Sequence, residues 1–426
     1  MTAGDLRLRV RAPSLALQRA AIVSDRSDAS VRRRIGWIWG LLYLNVLPYY
    51  SKSPILHLPT SLGKVVTQGA LIVAVLLAVS INRRAAVRPN LFLFLMTLLC
   101  ITSVMMSVRG YFGLSSGLRA IRLVLDVGVL WLLTPWWGRD DLLFLRFHRR
   151  ALYVVLGVVL LGIVLAPGPA FAQAGGGRLG GVIWPIPPTQ VAHYAAILAG
   201  TTVVLWFTEL VPTRTAAVVT IAAVAIILLA HTRTALVAFL VGVLAAGLSL
   251  YLGRQRVRKA IAVVVVVGGL VALSFAPFLT TWALRGESTT TLDTLSGRTN
   301  VWTALAAQPS SELHVLFGYG MSNDSFNGLP IDSSWYSTYL DQGLFGDVID
   351  GGVLVLLLLI ALFTPRGPRR AVAIFLVVYC ALASITETGL GEASPYVLDL
   401  AVAMSLLMTP ALEPARDPGP DDLLFH

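Results

Sequence analysis

Long runs without a single charged residue constrain this chain more than any other feature. Leu91–Val108, Ala216–Ala230 and Val353–Leu362 are the clearest of them. A helix needs about 20 mostly apolar residues to cross the hydrocarbon core of a bilayer. Only 13% of the 426 residues are charged, against about 25% in soluble proteins. Windows of this kind predict about 12 membrane spans, near residues 35–50, 62–82, 90–108, 118–137, 151–168, 189–208, 215–230, 235–252, 260–280, 336–363, 371–388 and 395–412.

The positions of the basic residues predict the orientation of these spans. With a cytoplasmic N-terminus, 24 of the 33 Lys and Arg residues fall on the cytoplasmic side. This bias follows the positive-inside rule, so both termini are expected in the cytoplasm. The net charge of +11 is thereby explained by topology, and we expect no nucleic-acid partner. The first 34 residues are polar and have no apolar segment typical of a cleavable signal peptide.

These patterns predict an all-α, polytopic membrane helix bundle in the cell inner or plasma membrane. We expect a basic cytoplasmic tail over residues 1–34, a bundle over 35–412 and a disordered cytoplasmic tail over 413–426. The bundle includes one large extracytoplasmic loop, residues 281–335. Loops longer than about 15 residues are uncommon unless functional. Within this one, residues 297–308 predict a short helix, and Phe317–Gly320 predicts a turn.

Three arginines on the extracytoplasmic side are candidate ligands for phosphate. Arg178, Arg233 and Arg298 each have small or polar neighbours. The planar fork of arginine matches phosphate oxygens in pairs. The alternative interpretation is that each one reaches for lipid headgroups or pairs with a carboxylate, and the sequence leaves both interpretations open.

Asp332 is the most informative carboxylate, because it precedes the aromatic residues Trp335 and Tyr336. It is a candidate catalytic base, and the alternative role is capping the tenth span. His231 stands two residues before Arg233, and the six histidines do not cluster at metal-binding spacing, so no metal site is expected.

Asp126 and Asp399 fall inside predicted spans, where a carboxylate is a functional candidate. The sequence leaves open whether they pair with Arg122 or with each other.

Four segments in order resemble the O-antigen ligase and O-antigen polymerase superfamily. They are GRLGGVIWPIPPTQVAHYAA at 177–196, HTRTALVAFLVG at 231–242, SGRTNVW at 296–302 with LFGYG at 316–320, and DSSWYSTYLDQGLFG at 332–346. With the order of the predicted spans, the likeness extends over about residues 90–363. Asp332 stands where ligases of this family carry a histidine, and an acidic residue there resembles polymerase-type or divergent members.

The resemblance implies a membrane glycosyltransferase that acts on the extracytoplasmic face. A glycan would pass from a polyprenyl-diphosphate donor to an acceptor hydroxyl of a glycan or glycolipid, without a cofactor and without a metal. The three arginines would bind the donor diphosphate, and Asp332 would activate the acceptor. Trp302, Trp335, Tyr336 and His231 would contact the sugars.

Two other functions fit the same residues. A transporter or flippase for lipid-linked glycans would use the arginines and aromatic rings without catalysis. A peptidoglycan polymerase of the shape, elongation, division and sporulation type would also have a large outer loop with an aspartate.

Overall fold

The computed structural model of the chain describes most of the predicted bundle. The described residues are 15–49, 53–56, 59–109, 113–138, 142–172, 177–251, 257, 298–321, 325–326, 329–330, 335–386 and 391–408. The predicted span at 260–280 and the tail at 413–426 lie outside them.

Nine helices occupy the first part of the described chain. They are α1 Leu15–Val46, α2 Thr60–Ile81, α3 Leu91–Arg109, α4 Leu114–Leu133, α5 Leu143–Leu165, α6 Pro167–Phe171, α7 Pro188–Phe207, α8 Thr213–Leu229 and α9 Arg233–Leu250, with a 3₁₀ turn at Thr134–Trp136. After residue 297 follow α10 Arg298–Ala306, α11 Glu312–Phe317, the antiparallel strands β1 Ser325–Phe326 and β2 Leu329–Pro330, α12 Trp335–Phe363, α13 Pro368–Ala383 and α14 Pro395–Leu407.

Eleven of the predicted span windows overlap one of these helices. Among the described residues, six helices are long and apolar enough to cross a membrane, namely α2, α3, α5, α7, α9 and α12. The helices α8 and α14 are apolar but shorter. The candidate spans and the shorter α8 turn large apolar side chains outward, with Val164 on α5 78% exposed and Val218 on α8 68% exposed. Apolar surface of this extent is what lipid, and not water, accommodates.

The centre of the bundle is α7, whose side chains are buried on almost every face. It packs against α5, α8, α9 and α13. Phe375 of α13 fills the space left by two glycines, since a Cβ at Gly200 would lie 1.9 Å from its ring and one at Gly242 would lie 3.0 Å away. Small residues of this kind let membrane helices approach closely.

The connections between the helices gather at two ends of the bundle. At the first, which we call the arginine end, Arg88 Nη1 donates to the Trp137 carbonyl at 2.8 Å and Arg369 Nη2 donates to the Met408 carbonyl at 3.1 Å. At the second, the loop end, Trp184 Nε1 donates to the Pro48 carbonyl at 3.2 Å. The helices α10 and α11, which interrupt the predicted large loop, lie at the loop end because they precede the start of α12 there.

Two helices that start or end at the arginine end are short. The 16 residues of α13 and the 13 residues of α14 extend about 24 and 20 Å, less than the roughly 30 Å of a hydrocarbon core. Neither helix alone is long enough to cross it. Their other ends, at Ala383 and Pro395, point toward the loop end.

The two intramembrane aspartates do not pair with each other. Asp399 Oδ1 lies 2.9 Å from His148 Nε2, and both side chains are fully buried. Arg122 donates from Nε to Asn45 Oδ1 at 3.0 Å, and it also donates to the Asn45 carbonyl. Asp126 lies one turn beyond Arg122 on α4 and is 2% exposed.

A candidate active site at the loop end

Arg178 lies against the turn that connects α8 to α9. Its Nε donates to the Ala230 carbonyl at 3.1 Å, and the next residue, Leu179, donates its backbone N–H to the Leu229 carbonyl at 3.0 Å. These two bonds satisfy carbonyls at the end of α8, which have no partner within the helix. The structure therefore brings Arg178 to the turn that carries His231 and Arg233, although more than 50 residues separate them in sequence.

The turn itself is strained at His231. Its φ of +49° is a left-handed conformation that costs a residue with a Cβ about 1 kcal/mol or more. Two residues later Arg233 begins α9, and the N-cap Thr232 makes no side-chain capping bond. The first backbone N–H groups of a helix point outward with a positive dipole. Arg233 adds a full charge at this helix start.

The helix α12 is broken at Gly343, whose φ of +66° is not helical. The break leaves backbone carbonyls of the preceding turn without helical partners. The predicted turn at Phe317–Gly320 supplies hydrogen-bond donors for two of these carbonyls. The Tyr319 N–H donates to the Leu340 carbonyl at 2.8 Å, and the Gly320 N–H donates to the Asp341 carbonyl at 3.1 Å. The large loop is thus fixed to α12 by main-chain bonds.

Gln342 links this break to α3 and to the residues just before α14. Its Nε2 donates to Ser103 Oγ of α3 at 3.1 Å and to the Gly391 carbonyl at 2.9 Å. Just after α13, Thr386 Oγ1 donates to Thr234 Oγ1 of α9 at 2.8 Å. Gly391 is therefore bonded to the break in α12, and Thr386 is bonded to the helix start that carries Arg233.

The aromatic residues of the large loop and of α12 form one cluster around a cavity of about 480 Å³. Trp302 of α10 meets Trp335 edge-on at 5.5 Å between ring centroids, and Trp335 meets Tyr336 at 5.3 Å. Tyr319 stacks on His314 at 4.1 Å. Three of the predicted sugar-contacting residues therefore lie together, whereas His231 lies with the arginines.

Two predicted site residues are only partly located. Asp332 lies outside the described residues, between β2 and α12. Arg298 begins α10, and its side chain lies outside the described part. Helix α10, which Arg298 begins, packs against β2. Among the described residues no three His, Cys, Asp or Glu side chains are placed to hold a metal ion.

Sequence reasoning did not single out Gln342, Ser103 or the break at Gly343. It predicted one span over residues 336–363, and the helix found there, Trp335–Phe363, carries an unforeseen break at Gly343. The available signal was the Asp-Gln-Gly sequence at 341–343, since glycine inside a helical pattern often marks an interruption. Ser103 carries no such signal, because a serine in an apolar helix gives no indication of its partner.

The outward apolar side chains and the six candidate spans define a multi-pass membrane protein. Residues 217–360, about a third of the chain, match a family model described as O-antigen ligase. The match confirms the resemblance to the O-antigen ligase and polymerase superfamily, and it indicates a membrane enzyme of that type. It includes every predicted site residue except Arg178. No curated protein matches the chain.

Proposed function

We propose that the protein is a membrane glycosyltransferase that transfers a glycan from a polyprenyl-diphosphate donor to an acceptor hydroxyl at the extracytoplasmic face. The observation that carries the proposal is the meeting of Arg178 and the Arg233 helix start at one turn. Two further hydrogen bonds lie beside the site, from Thr386 to Thr234 in the first turn of α9 and from Gln342 to the Gly391 carbonyl at the break in α12.

The diphosphate of the donor fits the turn between α8 and α9, where Arg178 and Arg233 lie, by charge and by shape. Arg178 and Arg233 offer guanidinium forks, and the start of α9 offers backbone N–H groups and a positive dipole end. Arg298 is assigned as the third arginine, on the loop side. As the glycosyl bond breaks, negative charge accumulates on the diphosphate, and positive groups already in place stabilise it without rearrangement. This assignment requires no metal.

The transfer needs a base for the acceptor, and we assign that role to Asp332. The acceptor oxygen attacks the anomeric carbon of the donor sugar and forms the new glycosidic bond. The bond between that carbon and the diphosphate oxygen breaks, and the electron pair leaves with the polyprenyl diphosphate. The acceptor proton passes to the Asp332 carboxylate.

The aromatic cluster suits the sugars on either side of that bond. Trp335 and Tyr336 line a cavity of about 480 Å³, within the range of about 300–1,000 Å³ of small-ligand sites, and Trp302 packs against Trp335 beside it. Flat rings pack against the C–H faces of sugars, and Tyr and Trp also offer a hydrogen-bonding group at the rim. His231 is assigned to the sugar nearest the diphosphate, because it lies in the turn between α8 and α9.

The decisive measurement is glycan transfer by the purified protein in vesicles that contain a polyprenyl-diphosphate glycan and an acceptor. We expect Asp332→Asn to lower the transfer rate by about 10²–10⁴-fold, since the amide keeps the size and capping ability of aspartate and removes the base. Donor binding should remain. Glu312→Gln, a change at an exposed carboxylate in the same loop, serves as the control and should transfer at the wild-type rate.

Other outcomes point to other functions. Transfer by Asp332→Asn within a few-fold of wild type would move the base to Asp324 or Asp341. Movement of the labelled donor across the bilayer without any new glycosidic bond would identify a transporter of lipid-linked glycans. A product built only from peptidoglycan precursors would identify a peptidoglycan polymerase.

A further inference from the structure

A groove separates α1 from α5 at the arginine end, far from the candidate active site. It encloses about 790 Å³ and is lined almost entirely by apolar side chains, with arginines at one end. Both helices run away from the arginines, so that Leu44 of the first helix, Leu47 just after it and Val154 of the second helix line the far part of the groove.

Two glycines of α1 decide where the groove begins. At Gly36 the two helices touch, since a Cβ there would lie 2.7 Å from Phe147 Cε1. One turn further, at Gly40, a Cβ would meet no atom within 4 Å. The helices therefore diverge from this point and leave an apolar channel open to the surrounding lipid.

The mouth of the groove is strongly basic. Arg32, Arg33, Arg146 and Arg150 all line it, and the described lining residues include no carboxylate. Arg150 lies over the ring of Phe147, 5.8 Å from its centroid, which fixes one guanidinium at the entrance. Beside them Trp37 is 65% exposed, in the manner of tryptophans at the level of lipid headgroups.

We propose that this groove binds an anionic glycerophospholipid, with the phosphate between the arginines and an acyl chain in the apolar channel. Charge and length both fit. Basic pockets between membrane helices bind anionic headgroups. The rise from Gly36 to the end of α1 at Val46 is about 15 Å, which equals the roughly 15 Å thickness of one leaflet. The site does not depend on the transferase function proposed above.

Binding of labelled phosphatidylglycerol and phosphatidylcholine to the full-length protein in detergent micelles tests this proposal. We expect one phosphatidylglycerol per chain, bound saturably, and much weaker binding of phosphatidylcholine. Replacing Arg33 and Arg150 together with glutamine should weaken the binding by about 30-fold, about fivefold for each charge removed. The matched control replaces Arg83 and Arg84, which are exposed and do not line the groove; it should leave the affinity unchanged.

A second variant separates a defined site from general attraction to headgroups. Gly40→Phe fills the channel and keeps all four arginines, so the saturable binding should disappear. The control is Gly157→Phe, at an exposed glycine of α5 with no atom within 4 Å of its Cβ and no place in the groove.

Three results would overturn the proposal. They are wild-type binding by Gly40→Phe, equal binding of the two phospholipids by the wild-type protein, and displacement of phosphatidylglycerol by a lower concentration of polyprenyl phosphate. The last would assign the groove to the lipid carrier instead. If Gly40→Phe does not fold, the comparison of the two phospholipids and the competition with polyprenyl phosphate, both on the wild-type protein, test the proposal by themselves.

Discussion

Arg233 stands where two sources of positive potential coincide, its own guanidinium and the start of α9. We expect Arg233→Lys to lower transfer by at least about tenfold, because lysine keeps the charge and loses the paired hydrogen bonds of the fork. The measurement is the rate of glycan transfer at a fixed amount of inserted protein.

The matched control for Arg233 is Arg214→Lys. Arg214 is an exposed arginine in the first turn of α8, and its replacement should leave transfer unchanged. Full activity of Arg233→Lys would show instead that Arg233 only anchors the helix at the lipid headgroups.

For single residues, the sequence was a better guide to which side chains to consider than to the atoms that those side chains contact. Arg178 and Arg233 were singled out by their small or polar surroundings, and Trp302, Trp335 and Tyr336 were assigned to the sugars through the family resemblance. The contact between Arg178 and the α8–α9 turn was not predictable, because a hydrogen bond to the Ala230 carbonyl uses a backbone atom that every residue has. Gln342 escaped notice for a similar reason, since one of its two partners is also a backbone carbonyl.

The break in α12 is the element on which the large loop depends. A Cβ at Gly343 would lie 2.5 Å from the backbone nitrogens of Phe317 and Gly318, and the φ of +66° disfavours any other residue. We expect Gly343→Ala to lower the thermal midpoint of the detergent-solubilised protein and to make the loop more sensitive to protease.

Gly351→Ala is the corresponding control in the same helix. Gly351 has helical geometry and no atom within 4 Å of a Cβ, so alanine should be neutral or stabilise by about 0.5–1 kcal/mol. Equal thermal midpoints for Gly343→Ala and the wild-type protein would contradict the role given to the break.

Element positions followed from hydropathy alone, and element shapes did not. The apolar windows predicted where helices lie because burial in lipid requires an uninterrupted apolar run. The same windows merged the two halves of α12, because leucine and phenylalanine follow Gly343 directly and hide the interruption. Helix α14 ends at Leu407, about five residues before the predicted end of its span.

For the whole molecule the central expectation is orientation. Cysteine introduced at Ser311, in the exposed part of the large loop, should react in intact cells with a maleimide that does not cross membranes. Cysteine at Arg84, at the arginine end, should react only after the membrane is opened. Background labelling should be low, since Cys100 and Cys380 are both buried. The reverse pattern would place the candidate active site in the cytoplasm and exclude the proposed reaction.

The way the large loop is attached has a consequence for how such a protein can change over evolutionary time. Its bonds to α12 run from the N–H groups of Tyr319 and Gly320 to the carbonyls of Leu340 and Asp341, atoms that do not depend on the side chain. A substitution at Tyr319, Leu340 or Asp341 leaves these main-chain donors and acceptors in the chain, whereas a side chain at Gly318, Gly320 or Gly343 would meet backbone atoms. Under the function proposed above, the side chains that line the aromatic cavity, and with them the sugar preference, can therefore change while the main-chain attachment stays the same.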